Sequence, residues 1–155
     1  MIVLHYTAMA DCAAAERVLC NPATEVSAHY LISPLGAVIA LVPEDMRAWH
    51  AGAGAWGGIE DINSHSIGIE LSNTGATPFA APQMNALEEL LARIMTRWSI
   101  APERVIGHSD CAPGRKIDPG PRFDWLRLAR AGLAITSNPV TPMQPDAAAT
   151  DRALR

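Results

Sequence analysis

SIGIELSNTGATPFAAPQMNALEELLARIMTRWSIAPERVIGH, residues 66–108, holds a strand, a helix and a second strand in succession. Ser66-Ile67-Gly68-Ile69-Glu70-Leu71 is a short apolar run followed by the breakers Asn73, Gly75 and Pro78, which marks a buried strand. Pro82 stands where a helix begins, and Met84, Leu87, Leu90, Leu91, Ile94, Met95 and Trp98 then recur at three- and four-residue steps, the apolar face of an amphipathic helix. Val105 to His108 is again short and apolar. Strands alternating with helices predict an α/β layer arrangement.

The flanking sequence extends this pattern. Ile2 to His5 reads as a buried strand, and the Ala-rich run from Met9 to Cys20 as a helix ended by Asn21-Pro22. His29 to Ile32 and Val38 to Val42 read as a hairpin joined by Ser33-Pro34-Leu35-Gly36, which makes the sheet mixed rather than all parallel. Pro43 to His65, rich in Gly, Trp and polar residues, has no period and reads as a long loop or a loop with a short turn of helix; such loops in compact domains are usually functional. A Pro/Gly-rich loop runs from His108 to Pro121, ahead of a helix at Asp124 to Ala131. The expected architecture is one α/β domain over residues 1–133, a mixed central β-sheet flanked by α-helices. Residues 134–155, with Pro139, Pro142 and Pro145, are expected to form an extended or mobile tail.

Composition removes several classes of function. At 155 residues, 49% hydrophobic and 18% charged, the chain fits neither a disordered protein nor a coiled coil. A net charge of −4 and no basic cluster argue against a nucleic-acid partner. Cys12, Cys20 and Cys111 form an odd set without a C-x-x-C pair, so they are expected to be reduced structural thiols. The apolar run Ala37 to Val42 is far short of a membrane span, and MIVLHYT does not read as an export signal, so a cytoplasmic location is expected.

Side chains able to do chemistry gather at the predicted strand ends. His5 and His108 each close an apolar strand, and Asp118 lies ten residues beyond His108 in a loop stiffened by Pro113, Pro119 and Pro121. Two imidazoles and one carboxylate make a catalytic zinc set with a fourth position left for water. Glu70, at the end of its own strand, could take a proton from that water. Taken singly, each has a plainer role: a satisfied strand-end histidine, a turn-forming Asp before proline, a polar strand end.

VIGHSDCAPGRKIDPGPRFDW, residues 105–125, resembles the H-x-D-x-A-P-x-R-K-x-D-P-G-P signature of the zinc-dependent N-acetylmuramoyl-L-alanine amidases (amidase type 2), a superfamily that also holds peptidoglycan-recognition proteins. VLHYTA (3–8), VSAHYLI (26–32), RAWHAG (47–52) and SIGIEL (66–71) look like further blocks of that family, in its order. The resemblance implies Zn²⁺ held by His5, His108 and Asp118, Glu70 as general base and Lys116 as a cation near the scissile carbonyl. It implies hydrolysis of the amide between N-acetylmuramic acid, or its anhydro form, and L-alanine of the stem peptide, with peptidoglycan fragments (muropeptides) as partners.

Arg115 suits a stem-peptide carboxylate, Trp49 an apolar wall, and Tyr6 a substrate hydrogen bond; His50 and His29 are expected to line or support the cleft, and His65 has no assigned role. Two other functions compete: a peptidoglycan-recognition module that binds without cutting, and a thiol hydrolase using Cys111 with His108. Asp61-Ile62-Asn63-Ser64 departs from the family, where a basic residue and an Asp are often found. A missing export signal suggests recycling of soluble anhydromuropeptides, whereas the compact spacing from His5 to His29 looks more like the envelope-anchored branch.

Overall fold

A computed structural model of the chain describes residues 1–136. Its five strands are β1 (Ile2–Tyr6), β2 (Tyr30–Ile32), β3 (Val38–Ala40), β4 (Ile67–Leu71) and β5 (Val105–Gly107). They form one mixed sheet in the order β3-β2-β4-β1-β5, with only the β2–β3 hairpin antiparallel. The helices are α1 (Cys12–Leu19), α2 (Ala81–Trp98), α3 (His108–Cys111) and α4 (Trp125–Arg130).

Strand alternation gives the sheet two different faces. Ile2 and Leu4 of β1, with Ile67, Ile69 and Leu71 of β4, pack into the main core beneath Leu87, Leu91 and Ile94 of α2 and Leu128 of α4. Val3 and Ile106 join a smaller cluster on the other side with Ala51, Ile62 and Cys111. His5 pairs with Glu70 across β1 and β4, and alternation places both on that second side. α2 is further tied to the sheet by buried Gln83, whose Nε2 donates to the Ile32 and Ser72 carbonyls at the ends of β2 and β4.

Several elements are shorter than the sequence predicts, although β1 runs one residue further, to Tyr6. The first helix begins at Cys12 rather than Met9 because Asp11 takes the N-cap and accepts from the Ala14 N–H at 2.7 Å. β3 stops at Ala40 because the Leu41 and Val42 N–H groups both turn to the His29 carbonyl. His108 opens the one-turn helix α3 instead of ending a strand, and only Ile62–Ser64 of the long loop is helical, as a 3₁₀ turn. Of the expected tail, Ala134 is buried against the main core, and residues 137–155 lie outside the described residues. Among the described residues no helix is long and apolar enough to cross a membrane.

Candidate metal centre and its cleft

Three ligand atoms from distant parts of the chain meet at the carboxyl end of the central strands. His5 Nδ1 lies 3.0 Å from His108 Nδ1 and 2.9 Å from Asp118 Oδ2, and His108 Nδ1 lies 3.0 Å from the same oxygen. β1 supplies the first ligand, the start of α3 the second and the loop beyond it the third. That loop is held by the Ser109 N–H, which donates to the Asp118 carbonyl at 2.9 Å. All three residues are buried.

Proton supply suits this triangle to a cation. His108 Nε2 faces the Ala51 carbonyl at 2.9 Å; a carbonyl only accepts, so the neutral ring carries its proton there and turns a lone pair inward from Nδ1. Burial first, and the neighbouring His108 among the remaining causes, lower the His5 pKa to about 4, against partial support from Asp118, so His5 is neutral near pH 7. Burial opposes ionisation of Asp118, but the adjacent His108 and His5 rings hold its carboxyl well below the usual range. Two imidazoles and a carboxylate with lone pairs converging within about 3 Å form a donor set that a positive ion would satisfy. They are the only such group among the described residues.

The cluster opens into a cleft of about 360 Å³ that Glu70 and Lys116 also line. Glu70 Oε2 is buried without a hydrogen-bond partner, and burial first, then the Asp118 charge, push its pKa to about 8 although Lys116 pulls the other way. Tyr6, Trp49, His50 and Arg115 line the same cleft, so nine of the residues singled out from the sequence come together. The half-exposed Trp49 and exposed Ile117 give it an apolar rim.

Several of these side chains are engaged by the protein itself. Arg115 Nη2 donates to the Ala51 carbonyl at 2.7 Å and also to that of Ala53, pinning the long loop. His50 meets His5 through Nδ1 and Ser66 through Nε2, and burial, then the neighbouring histidines, hold its pKa well below the ordinary value. His29 is not in the cleft: its Nδ1 accepts the Gly68 N–H at 2.9 Å and its Nε2–H donates to the Met46 carbonyl at 3.0 Å, a structural role. His65 caps its own turn on the Asp61 carbonyl. Cys111 is buried, its thiol pushed up by burial, and its Sγ–H meets the His108 carbonyl rather than the imidazole; nothing activates it as a nucleophile.

An α/β fold that brings two histidines and an aspartate together at the carboxyl end of its sheet, beside a buried unpaired carboxylate, defines a metallohydrolase type of site. The family profile for N-acetylmuramoyl-L-alanine amidase matches residues 1–121, and the chain belongs to that family. It is 40% identical over 149 residues to N-acetylmuramoyl-L-alanine amidase AmiD of Escherichia coli, covering 86% of this chain and 53% of AmiD. It is 45% identical over 103 residues to 1,6-anhydro-N-acetylmuramyl-L-alanine amidase AmpD of Enterobacter cloacae, covering 66% and 55%. The chain thus spans about half the length of these curated relatives.

Solved structures agree. That of Escherichia coli AmiD in complex with anhydro-N-acetylmuramic acid-L-Ala-D-γ-Glu-L-Lys matches with a TM-score of 0.83 at 38% identity, covering 100% of this chain and 63% of that one. AmpDh3 of Pseudomonas aeruginosa in complex with anhydromuramic pentapeptide matches at 0.81 and 36% identity, covering 98% and 64%.

Proposed function

We propose that the chain is a zinc-dependent amidase cleaving the bond between the lactyl carbonyl of N-acetylmuramic acid, including its 1,6-anhydro form, and L-alanine of the stem peptide. The observation that carries this reading is the buried triangle of His5 Nδ1, His108 Nδ1 and Asp118 Oδ2 with the unpaired Glu70 beside it. Membership of the amidase family and the anhydromuramyl peptides bound by AmiD and AmpDh3 support the substrate class. Two imidazoles and one carboxylate suit zinc, which when bound supplies a Lewis acid that polarises the amide carbonyl and acidifies the attacking water.

The chain's own residues account for the remaining steps. With the Asp118 charge offset in the loaded site, Glu70 ionises, accepts the proton of the attacking water at a carboxylate oxygen and passes it to the leaving alanine nitrogen. Lys116, close enough to depress the pKa of both Glu70 and His5, opposes the negative charge developing on the carbonyl oxygen. Trp49 and Tyr6, which line the cleft, would meet the sugar and lactyl group, and Arg115 on the same wall would hold a stem-peptide carboxylate. A reducing compartment such as the cytoplasm belongs to the same proposal, supported by the free thiols of Cys12, Cys20 and Cys111.

Mass analysis of products from a soluble anhydromuramyl tetrapeptide and from intact murein, each incubated with zinc-loaded protein, tests the reading. Release of free stem peptide from either substrate, lost on chelation, restored by zinc and insensitive to thiol alkylation, is expected. Binding of the muropeptide without cleavage would instead make the chain a recognition module.

A further inference from the structure

His108 owes its orientation to a single carbonyl, but His5 has no such partner. Its Nε2 lies 3.0 Å from His50 Nδ1, a contact between two ring nitrogens that can each donate or accept. The direction is settled two groups further away. Ser66 Oγ lies 2.5 Å from the Ile62 carbonyl, which only accepts, so the hydroxyl proton is committed there. Ser66 therefore meets His50 Nε2, 3.2 Å away, as an acceptor. His50 then carries its proton on Nε2 and its lone pair on Nδ1, so the His5 Nε2–H donates to it. The remaining nitrogen of His5, Nδ1, faces Asp118 and His108 with a bare lone pair.

The segment around this chain of hydrogen bonds is built to hold it. Asn63 Oδ1 accepts the N–H groups of both His50 and Ala51, at 3.1 and 2.8 Å, and so fixes the backbone carrying the ring. Gly68 of β4 leaves the space that the ring fills, since a Cβ there would overlap His50. Ile62, Asn63, Ser66 and Gly68 all lie within seven residues of one another, in the segment that joins the long loop to β4.

We propose that the Ile62 carbonyl, Ser66 and His50 form a one-way hydrogen-bond relay that fixes His5 in the tautomer able to bind metal through Nδ1, so that His50 is a positioning residue. The proposal rests on the reading of His5, His108 and Asp118 as a zinc site. Partners that orient a ligating histidine in this way typically change metal affinity by roughly 10- to 100-fold.

The test uses the 155-residue chain and two readouts. One is the zinc dissociation constant, from competition with a chromophoric chelator. The other is the His5 tautomer in the zinc-free protein, from two-bond ¹H–¹⁵N correlation. His50→Phe keeps the ring volume and removes the acceptor; zinc binding is expected to weaken roughly 10- to 100-fold, with His5 losing its single Nε2–H tautomer. His50→Gln restores an acceptor oxygen and is expected to recover most of the affinity. Ser66→Ala, a change of one half-buried hydroxyl that spares the ring, is expected to move both readouts in the same direction as His50→Phe and guards against a folding defect in the larger substitution. Unchanged affinity in both His50→Phe and Ser66→Ala overturns the relay while leaving the zinc site standing. Weaker binding with the His5 tautomer unchanged also overturns it. A wild-type chain that binds no zinc overturns the relay and the zinc reading together.

Discussion

Glu70 is held where an ionised carboxylate is hard to keep, and His5 where an ionised imidazole is. Folded Glu70 binds its proton up to about pH 8 against an ordinary value of 4.5, so between these values the folded state holds a proton that the unfolded state has released, and stability falls as pH rises. His5 runs the other way: its pKa drops from 6.5 to about 4, so in that window the unfolded state binds the extra proton and stability rises with pH. His29 and His50, also lowered, add to the acid-side loss. Three histidines outweigh one carboxyl below pH 6.5, and above it the decline from Glu70 is offset only in part by the lowered Met1 amino group, so the zinc-free protein is expected to be most stable near pH 6.5 to 7. Thermal melts of chelator-treated protein from pH 5 to 8 check this; Glu70→Gln is expected to abolish the alkaline decline, on the order of 2 kcal/mol between pH 6.5 and 8. The same substitution should leave bound zinc intact and lower turnover by ~10²–10⁴-fold, whereas Asp118→Ala should lose the metal. Metal analysis of the two purified variants separates these roles, and equal metal loss in both would reject Glu70 as the base.

At the scale of elements, periodicity decides what can be read in advance. β1, β4 and α2 carry continuous apolar runs or three- and four-residue steps, and the folded chain has them close to where those patterns put them. α3 has no such pattern: HSDC turns because the Asp110 carboxylate accepts the Gly107 N–H and because Asp118 holds Ser109 from outside the helix. The cluster of His5, His108 and Asp118 was legible as a family motif, but as a strand-end position only for His5, since His108 opens α3 and Asp118 lies in the loop beyond it. The Ser66–His50 contact was not, because it exists only once the long loop folds back over β4, a tertiary fact with no local signature. α2 supplies the largest share of the main core, and its Leu87 is fully buried. Leu87→Ala is expected to cost about 2–5 kcal/mol, measured as a lowered denaturant midpoint at unchanged slope.

For the molecule as a whole, the three ligand atoms tie residue 5 to residues 108 and 118, the first strand to the far end of the domain. An ion bound only by the folded chain stabilises it by mass action, about 4 kcal/mol when free metal stands at a thousand times its dissociation constant. Removing it with a chelator is expected to lower the melting temperature by roughly 10 °C, since 1 kcal/mol is worth about 2–4 °C at this size. Restoration by zinc at an unchanged far-UV spectrum would place the effect in the metal and not in a refolded chain. The pairing of His5 with Glu70 across β1 and β4 has an evolutionary consequence. Backbone ladder bonds hold both positions whatever side chains occupy them, so a lineage can exchange either residue by a single mutation and keep the sheet and the cleft. On the amidase reading proposed above, the step from cutting a polymer to merely binding it would be a short genetic one on this scaffold.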